Sequence, residues 1–228
     1  MVKKTKVRAR KLSSRGQLKR RAASPKTTAA KTARPSAGTR VSVLGKIKEI
    51  EAKILKEKIA LSALRKKAPL EEISDYTFKA HDGTEVKLSD LFGRHKDLIL
   101  IHNMGRGCPY CTMWADGFAG FTKHLENRAE FVVVSKDRVD MQREFYISRG
   151  WNFRMFSSHD STFNRDLGFE TEKGGQLPGV SAFYRDESGR IFRTGSSTFG
   201  PGDDFCAIWP LMDLLKAGAD GWEPKFQY

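Results

Sequence analysis

The chain has 228 residues, 39% of them apolar and 15 of them Phe, enough for one full domain with a true core and an appendage. No apolar run approaches the ~18 residues of a membrane span, no apolar segment follows the basic start as a secretory signal requires, and three cysteines do not make a disulfide scaffold. The formal charge of +14 is unevenly spread: residues 1–40 hold 14 Lys and Arg and no acid, while the other 188 residues carry 27 charges of each sign.

Residues 1–42 read as a disordered basic tail. The segment is built from Lys, Arg, Ala, Ser, Thr, Pro and Gly without an aromatic residue, and cannot bury enough apolar surface to offset the entropy of ordering. Over residues 1–40 it has the charge of a non-specific, salt-sensitive arm for nucleic acid; composition fits equally a solvated extension or a cleaved organellar presequence. Residues 43–68 form an amphipathic helix. Ile47, Ile50, Ile54, Leu61 and Leu64 mark a and d positions, Glu57 interrupts one, Glu49 and Lys53 make an i,i+4 pair, and Pro69 stops it. Such a helix pairs with a second copy, giving a homodimer, or packs on its own domain; its length, under four heptads, favours packing.

The domain proper spans residues 74–228. Asp82-Gly83 turns a hairpin between Tyr76-Thr77-Phe78 and Val86-Lys87-Leu88. Leu98–Ile101 is a buried strand. After a loop holding Gly105 and Gly107 come Cys108-Pro109-Tyr110-Cys111, and then Trp114, Phe118, Phe121 and Leu125 on one helical face. Phe131–Val134 is a second buried strand. Arg138–Arg149 is a helix closed by Gly150, and Trp151–Phe156 a short aromatic strand. Ser157–Gly175 is a long polar connection of the kind that often carries function. Val180–Tyr184 is a third strand, turned at Ser188-Gly189 into Arg190–Thr194. Phe205, Ile208, Met212 and Leu215 predict a last helix, with Pro210 in its first turn and Gly218 at its end. This order is α/β with a central mixed sheet flanked by helices.

The cysteine pair therefore sits where a strand ends and a helix begins. The free N–H groups and dipole of the helix's first turn stabilise a thiolate at Cys108. Cys111 lies one turn on, placed to attack a mixed disulfide formed there. A structural zinc site lacks ligands, because Cys206 is distant and no second CxxC or paired-histidine spacing exists. No metal and no cofactor is expected.

At these residues the chain resembles known families. Phe78, Asp82-Gly83, Val86–Leu91 and Gly93 are similar to the opening of the peroxiredoxin and AhpC/TSA branch of the thioredoxin superfamily. Cys108–Cys111 matches the usual glutaredoxin tetrapeptide, and Leu177-Pro178-Gly179-Val180 resembles the segment that faces the cysteines in thioredoxin folds. Cys108–Phe118, Gly150-Trp151, Leu177–Asp186 and Ile208–Leu211 through Trp222 resemble the bacterial thioredoxin-like proteins gathered as domain of unknown function 899. The likeness covers about residues 44–228 and omits the tail. It implies a thioredoxin-like fold with Cys108 as the attacking thiol, Cys111 as the resolving thiol, and Pro178 cis and pressed against them, offering neighbouring backbone to an extended partner. His102 occupies the position of the buried proton-transfer acid of thioredoxins, as a proton acceptor for Cys111 or a hydrogen-bonded core residue. Arg106 is a candidate for favouring the thiolate or a solvated loop charge, and Pro109 and Tyr110 lie between the thiols as candidate modulators. The Pro-x-x-x-Thr/Ser-x-x-Cys pattern of peroxiredoxins is missing before Cys108. Together these features predict a cytosolic thiol–disulfide oxidoreductase acting on protein or small-molecule thiols and disulfides. The alternatives are a thiol-dependent peroxidase and a non-catalytic binding module tethered to nucleic acid by the tail. No membrane partner is expected.

Overall fold

A computed structural model describes residues 37–228, with side chains from Val41 onward; the expected disorder of residues 1–36 lies outside the described residues. The described residues divide into two units with the boundary after Ala52, inside the first helix. That helix, α1 (Ala37–Arg65), is longer than the sequence pattern predicts and takes in residues 37–42, assigned above to the tail. Every described side chain along it is exposed.

The rest of the described chain forms an eight-stranded mixed sheet in the order β1-β8-β7-β4-β5-β6-β2-β3. The strands are β1 (Glu71–Ile73), β2 (Thr77–Lys79), β3 (Glu85–Lys87), β4 (Asp97–Asn103), β5 (Glu130–Ser135), β6 (Arg154–Ser157), β7 (Gly179–Arg185) and β8 (Ile191–Thr198). At the centre, β4, β5 and β6 run parallel, with β7 and β8 antiparallel beside β4. Helix α2 (Pro109–Glu126) makes the crossover from β4 to β5, and α3 (Val139–Arg149) that from β5 to β6. Short helices α4 (Phe163–Asp166) and α5 (Ile208–Asp213) follow.

Alternation along the strands divides the core between the two faces. Leu98 and Leu100 of β4 and Val132 and Val134 of β5 join Phe78, Phe163, Phe169 and Phe183 in one cluster. Ile101, Phe131 and Val133 join Trp114 and Phe118 of α2, with Trp151, Phe153 and Trp209, in the other. Because both faces are covered, β5 reads as an unbroken apolar run rather than an alternating one. Asp116 fixes α2 against the end of α3, since its carboxylate takes the Arg149 guanidinium and, at 2.8 Å, the Trp151 indole N–H.

Two local expectations are corrected, and one strand is added. Phe121 is 48% exposed, so the buried face of α2 is narrower than its aromatic spacing suggests. The last helix stops at Asp213, leaving Leu214 and Leu215 exposed beyond it, although Pro210 does lie in its first turn. Strand β1, too short and polar to show a period, pairs with β8 through Glu71–Ile73.

Candidate thiol site

Strand β4 ends at Asn103, the chain turns through Met104–Gly107, and Cys108 becomes the N-cap of α2. Its backbone is extended (φ −110°, ψ 107°), and its Sγ accepts the Cys111 N–H at 3.1 Å, the task a Ser or Asp oxygen performs at other helix starts. Pro109 fits the first helical position, where no N–H is needed. Thr112 donates both its N–H (3.1 Å) and its hydroxyl (3.0 Å) to the Cys108 carbonyl. Cys108 is partly exposed and Cys111 buried, and both carry free thiols.

The two sulfurs differ in acidity for reasons visible in these contacts. The Cys111 thiol donates to the Cys108 sulfur, and the N–H groups of Cys111 and Tyr110 add to it. Against some desolvation, they lower the Cys108 pKa from 9.0 to about 7. Cys111 is pushed up, first because its proton is held by Cys108, then by burial and by the charge on its neighbour; the Met104 N–H, 3.5 Å from its sulfur, opposes this weakly. Cys108 is therefore the more acidic of the two thiols, and Cys111 the one that holds its proton.

Two residues that the sequence reading passed over hold the loop. Asn103 donates from Nδ2 to the Cys111 carbonyl (3.3 Å) and accepts the Gly105 N–H on Oδ1 (2.7 Å). Asp137, just past β5, accepts the Arg106 N–H at 2.7 Å. Its carboxylate lies where a Cβ on Gly105 would stand, 2.6 Å away, and Gly105 has φ +99°, so only glycine fits there. The available signal was topological: Asn103 pairs with Ser135 at the carboxyl ends of adjacent parallel strands, where α/β sheets place their sites.

The other candidates fall unevenly. Tyr110 is partly exposed and stacks toward Trp209 at 6.2 Å, beside the thiols. The Arg106 side chain is exposed; its backbone, not its guanidinium, serves the loop, and the cationic help for Cys108 is not among the causes of its acidity. His102 is a core residue. It alternates to the opposite face from Asn103, lies 3.6 Å from Phe169 in a stack, and its Nε2 meets Ser181 Oγ at 2.9 Å. Burial, aided by Arg193, drops its pKa to about 3, so it is neutral and turned away from Cys111.

Pro178 does stand at the cysteine end of the sheet, next to the Gly179–His102 pair. Its peptide bond is trans, since no cis bond occurs among the described residues, which corrects the expected cis geometry. The backbone expected to receive a partner is in use: the Leu177 N–H donates to the Phe169 carbonyl at 2.9 Å, and the Pro178 carbonyl accepts the Phe199 N–H at 3.0 Å. The cause is the connection after β6. A bridge from Glu170 to Gln176 folds it back, and the Phe169 ring closes over Gly179, where no Cβ fits.

A central β4-α2-β5 crossover, an antiparallel β7-β8 pair beside it and a CxxC capping α2 define a thioredoxin-like protein. The chain belongs to the bacterial protein family of unknown function DUF899, whose model matches residues 44–225. Among curated proteins it is 24% identical over 142 residues to chloroplastic peroxiredoxin Q of Sedum lineare, covering 62% of this chain and 75% of that one. It is 25% identical over 128 residues to chloroplastic peroxiredoxin Q of Triticum aestivum, covering 56% and 58%. Among solved structures it is similar to peroxidoxin BcpB of Mycobacterium tuberculosis (TM-score 0.45, 23% identity, 54% of this chain and 80% of that one). A second is reduced Prx3 of Vibrio vulnificus in complex with hydrogen peroxide (TM-score 0.48, 17% identity, 60% and 90%). Among the described residues no helix is long and apolar enough to cross a membrane.

Proposed function

We propose that this protein is a thiol oxidoreductase, and specifically a thiol–disulfide oxidoreductase working through Cys108 and Cys111. The observation that supports it is the Cys108 sulfur serving as the cap of α2, with its pKa brought to about 7. The Cys108 thiolate attacks a substrate disulfide, forming a mixed disulfide and releasing one substrate thiolate, which takes a proton from solvent. With Cys108 no longer an anion, Cys111 is freed of its main restraint. It loses its proton and attacks the Cys108 sulfur, expelling the second substrate thiolate and closing the Cys108–Cys111 disulfide. Two electrons pass to the substrate, and an external thiol restores the pair. Because the Leu177 and Pro178 backbone is already bonded within the chain, a small or flexible disulfide suits the site better than a peptide laid down as an added strand.

With a chromogenic aryl disulfide, wild-type protein should turn over, Cys108→Ser should be inert, and Cys111→Ser should accumulate the covalent adduct. Equal turnover by all three would refute the reading. A second reading, thiol peroxidase, draws on the likeness to peroxiredoxin Q. In it the Cys108 thiolate attacks a peroxide O–O bond, giving a sulfenic acid and an alcohol or water, and Cys111 condenses with the sulfenic acid to release water and form the same disulfide. Stopped-flow mixing with hydrogen peroxide separates the two: oxidation of Cys108 no faster than that of a free thiol removes the peroxidase reading.

A further inference from the structure

Half of the exposed large apolar side chains among the described residues belong to α1: Val41, Val43, Leu44, Ile47, Ile50, Ile54, Leu55, Ile59, Leu61 and Leu64, from 45% to 72% exposed. A helix in water without a packed face is marginal, and its order normally comes from tertiary contact. The residues Val43, Ile47, Ile50, Ile54, Leu61 and Leu64 keep a heptad a/d spacing along one side, with Glu57 at the one polar d position. From Ile47 to Leu64 the stripe runs about 26 Å at the α-helical rise.

We propose that α1 pairs with α1 of a second copy as an antiparallel two-helix seam. In its register Ile47 faces Leu64 of the partner subunit, Ile50 faces the partner's Leu61, and Ile54 faces the partner's Glu57. Each pair occurs twice by symmetry, so one stripe satisfies itself.

Charge fixes the direction. A parallel pairing sets Glu57 on Glu57 of the partner subunit and Lys53 beside the partner's Lys58. Against those two repulsions it gains one favourable contact, Lys46 with the partner's Glu51. The antiparallel register removes both clashes. It places Glu57 next to the partner's Lys53 and Glu51 opposite the partner's Lys58. Lys58 now reaches Asp204 across the surface, but both groups are more than half exposed, and such a pair yields readily. Glu57 then acts as a polar seam residue that sets register at a cost in affinity.

The test uses the full chain under reducing conditions. Sedimentation velocity at tens of micromolar should give a dimer, and Ile54→Asp should give a monomer with unchanged far-UV dichroism apart from α1. Glu57→Leu should tighten the dimer about tenfold, a difference of 1.4 kcal/mol. Direction is read on a Cys108→Ser, Cys111→Ser background, in which Cys206 stays buried. Ile50→Cys mixed with Leu61→Cys should cross-link under mild oxidation, while either alone should not. A monomeric wild type, a dimer indifferent to Ile54→Asp, or efficient cross-linking of Ile50→Cys with itself would each overturn the proposal.

Discussion

Helix α2 buries seven of its eighteen residues, whereas α1, eleven residues longer, buries none of its described side chains. Both are rich in apolar residues, so hydrophobic content does not separate them; arrangement does. In α2 the bulky residues Trp114 and Phe118 gather on the side that meets β4 and β5, and a cap fixes where the helix begins. In α1 a second group (Val41, Leu44, Leu55 and Ile59) lies away from the a/d stripe, so no single face outweighs the others and no acidic residue marks its first turn. A helix with one apolar face is committed by its own domain. A helix with two remains free for a further surface, which is why α2 carries the candidate chemistry and α1 the candidate assembly.

The largest expected effect comes from reversing burial in each. Trp114→Ala removes a 3% exposed indole packed on Phe199 and Trp209 and should cost about 3–5 kcal/mol in denaturant unfolding. Ile54→Ala in α1, measured in dilute solution where copies do not meet, should stay within about 0.5 kcal/mol. Equal losses would mean that α1 packs on its own domain after all, and the contrast would fail.

A second prediction concerns His102, behind β4 on the face away from α2. Its neutral form is favoured in the folded chain, with a pKa of about 3 against 6.5 when free. As pH falls below 6.5 the unfolded chain binds a proton that the folded chain refuses, so stability drops by about 1.4 kcal/mol per pH unit until pH nears 3. Between pH 6.5 and 5 that amounts to about 1.6 kcal/mol, which His102→Asn should remove from the pH dependence of unfolding. A variant that keeps the wild-type slope would put the proton elsewhere.

His102 also shows how far a sequence can be read here. The strand–CxxC–helix corner was legible because each part leaves a local mark: an apolar run, two glycines, a Pro at the first helical position and an aromatic face. The side of β4 to which His102 points was not legible as function, because strand alternation says which residues share a face but not which face meets the cysteines. Alignment with thioredoxins put it beside the thiols; the fold stacks it on Phe169, a residue 67 positions on. Pro178 was misread for a related reason. Its geometry depends on Phe169 covering Gly179 and on the Leu177 N–H finding the Phe169 carbonyl, both made by a long connection with no periodic pattern. Asp137 and Asn103 were missed because each looks like an ordinary polar residue ending a strand until the parallel register sets them on either side of one loop.

Asn103 gives the third prediction, at the end of α2 that α1 has no counterpart for. Asn103→Ala leaves the Gly105 N–H and the Cys111 carbonyl without their side-chain partner, for a cost of about 1 kcal/mol. The loop should loosen around Cys108, and the alkylation midpoint of that thiol should move up toward 9.0 as the Cys111 N–H leaves its sulfur. A destabilised variant with an unmoved midpoint would make Asn103 structural only.

The smallest expected effect is the most discriminating for the origin of the acidity. Alkylation of Cys108 by a neutral reagent should rise with pH through about 7 and level off above it, because the thiolate is the reacting form and the folded protein holds it below its ordinary 9.0. Cys206, buried and with its pKa raised by that burial, should contribute nothing over the same range. Arg106→Ala should leave the Cys108 midpoint where it is, since the guanidinium is exposed and the Asp137 bond to the loop is made by a backbone N–H that alanine retains. If the midpoint instead climbs on losing Arg106, the sulfur owes its acidity to a side-chain charge that any flexible loop could supply. The amino end of α2 would then differ from that of α1 by one cation rather than by the way the chain is folded.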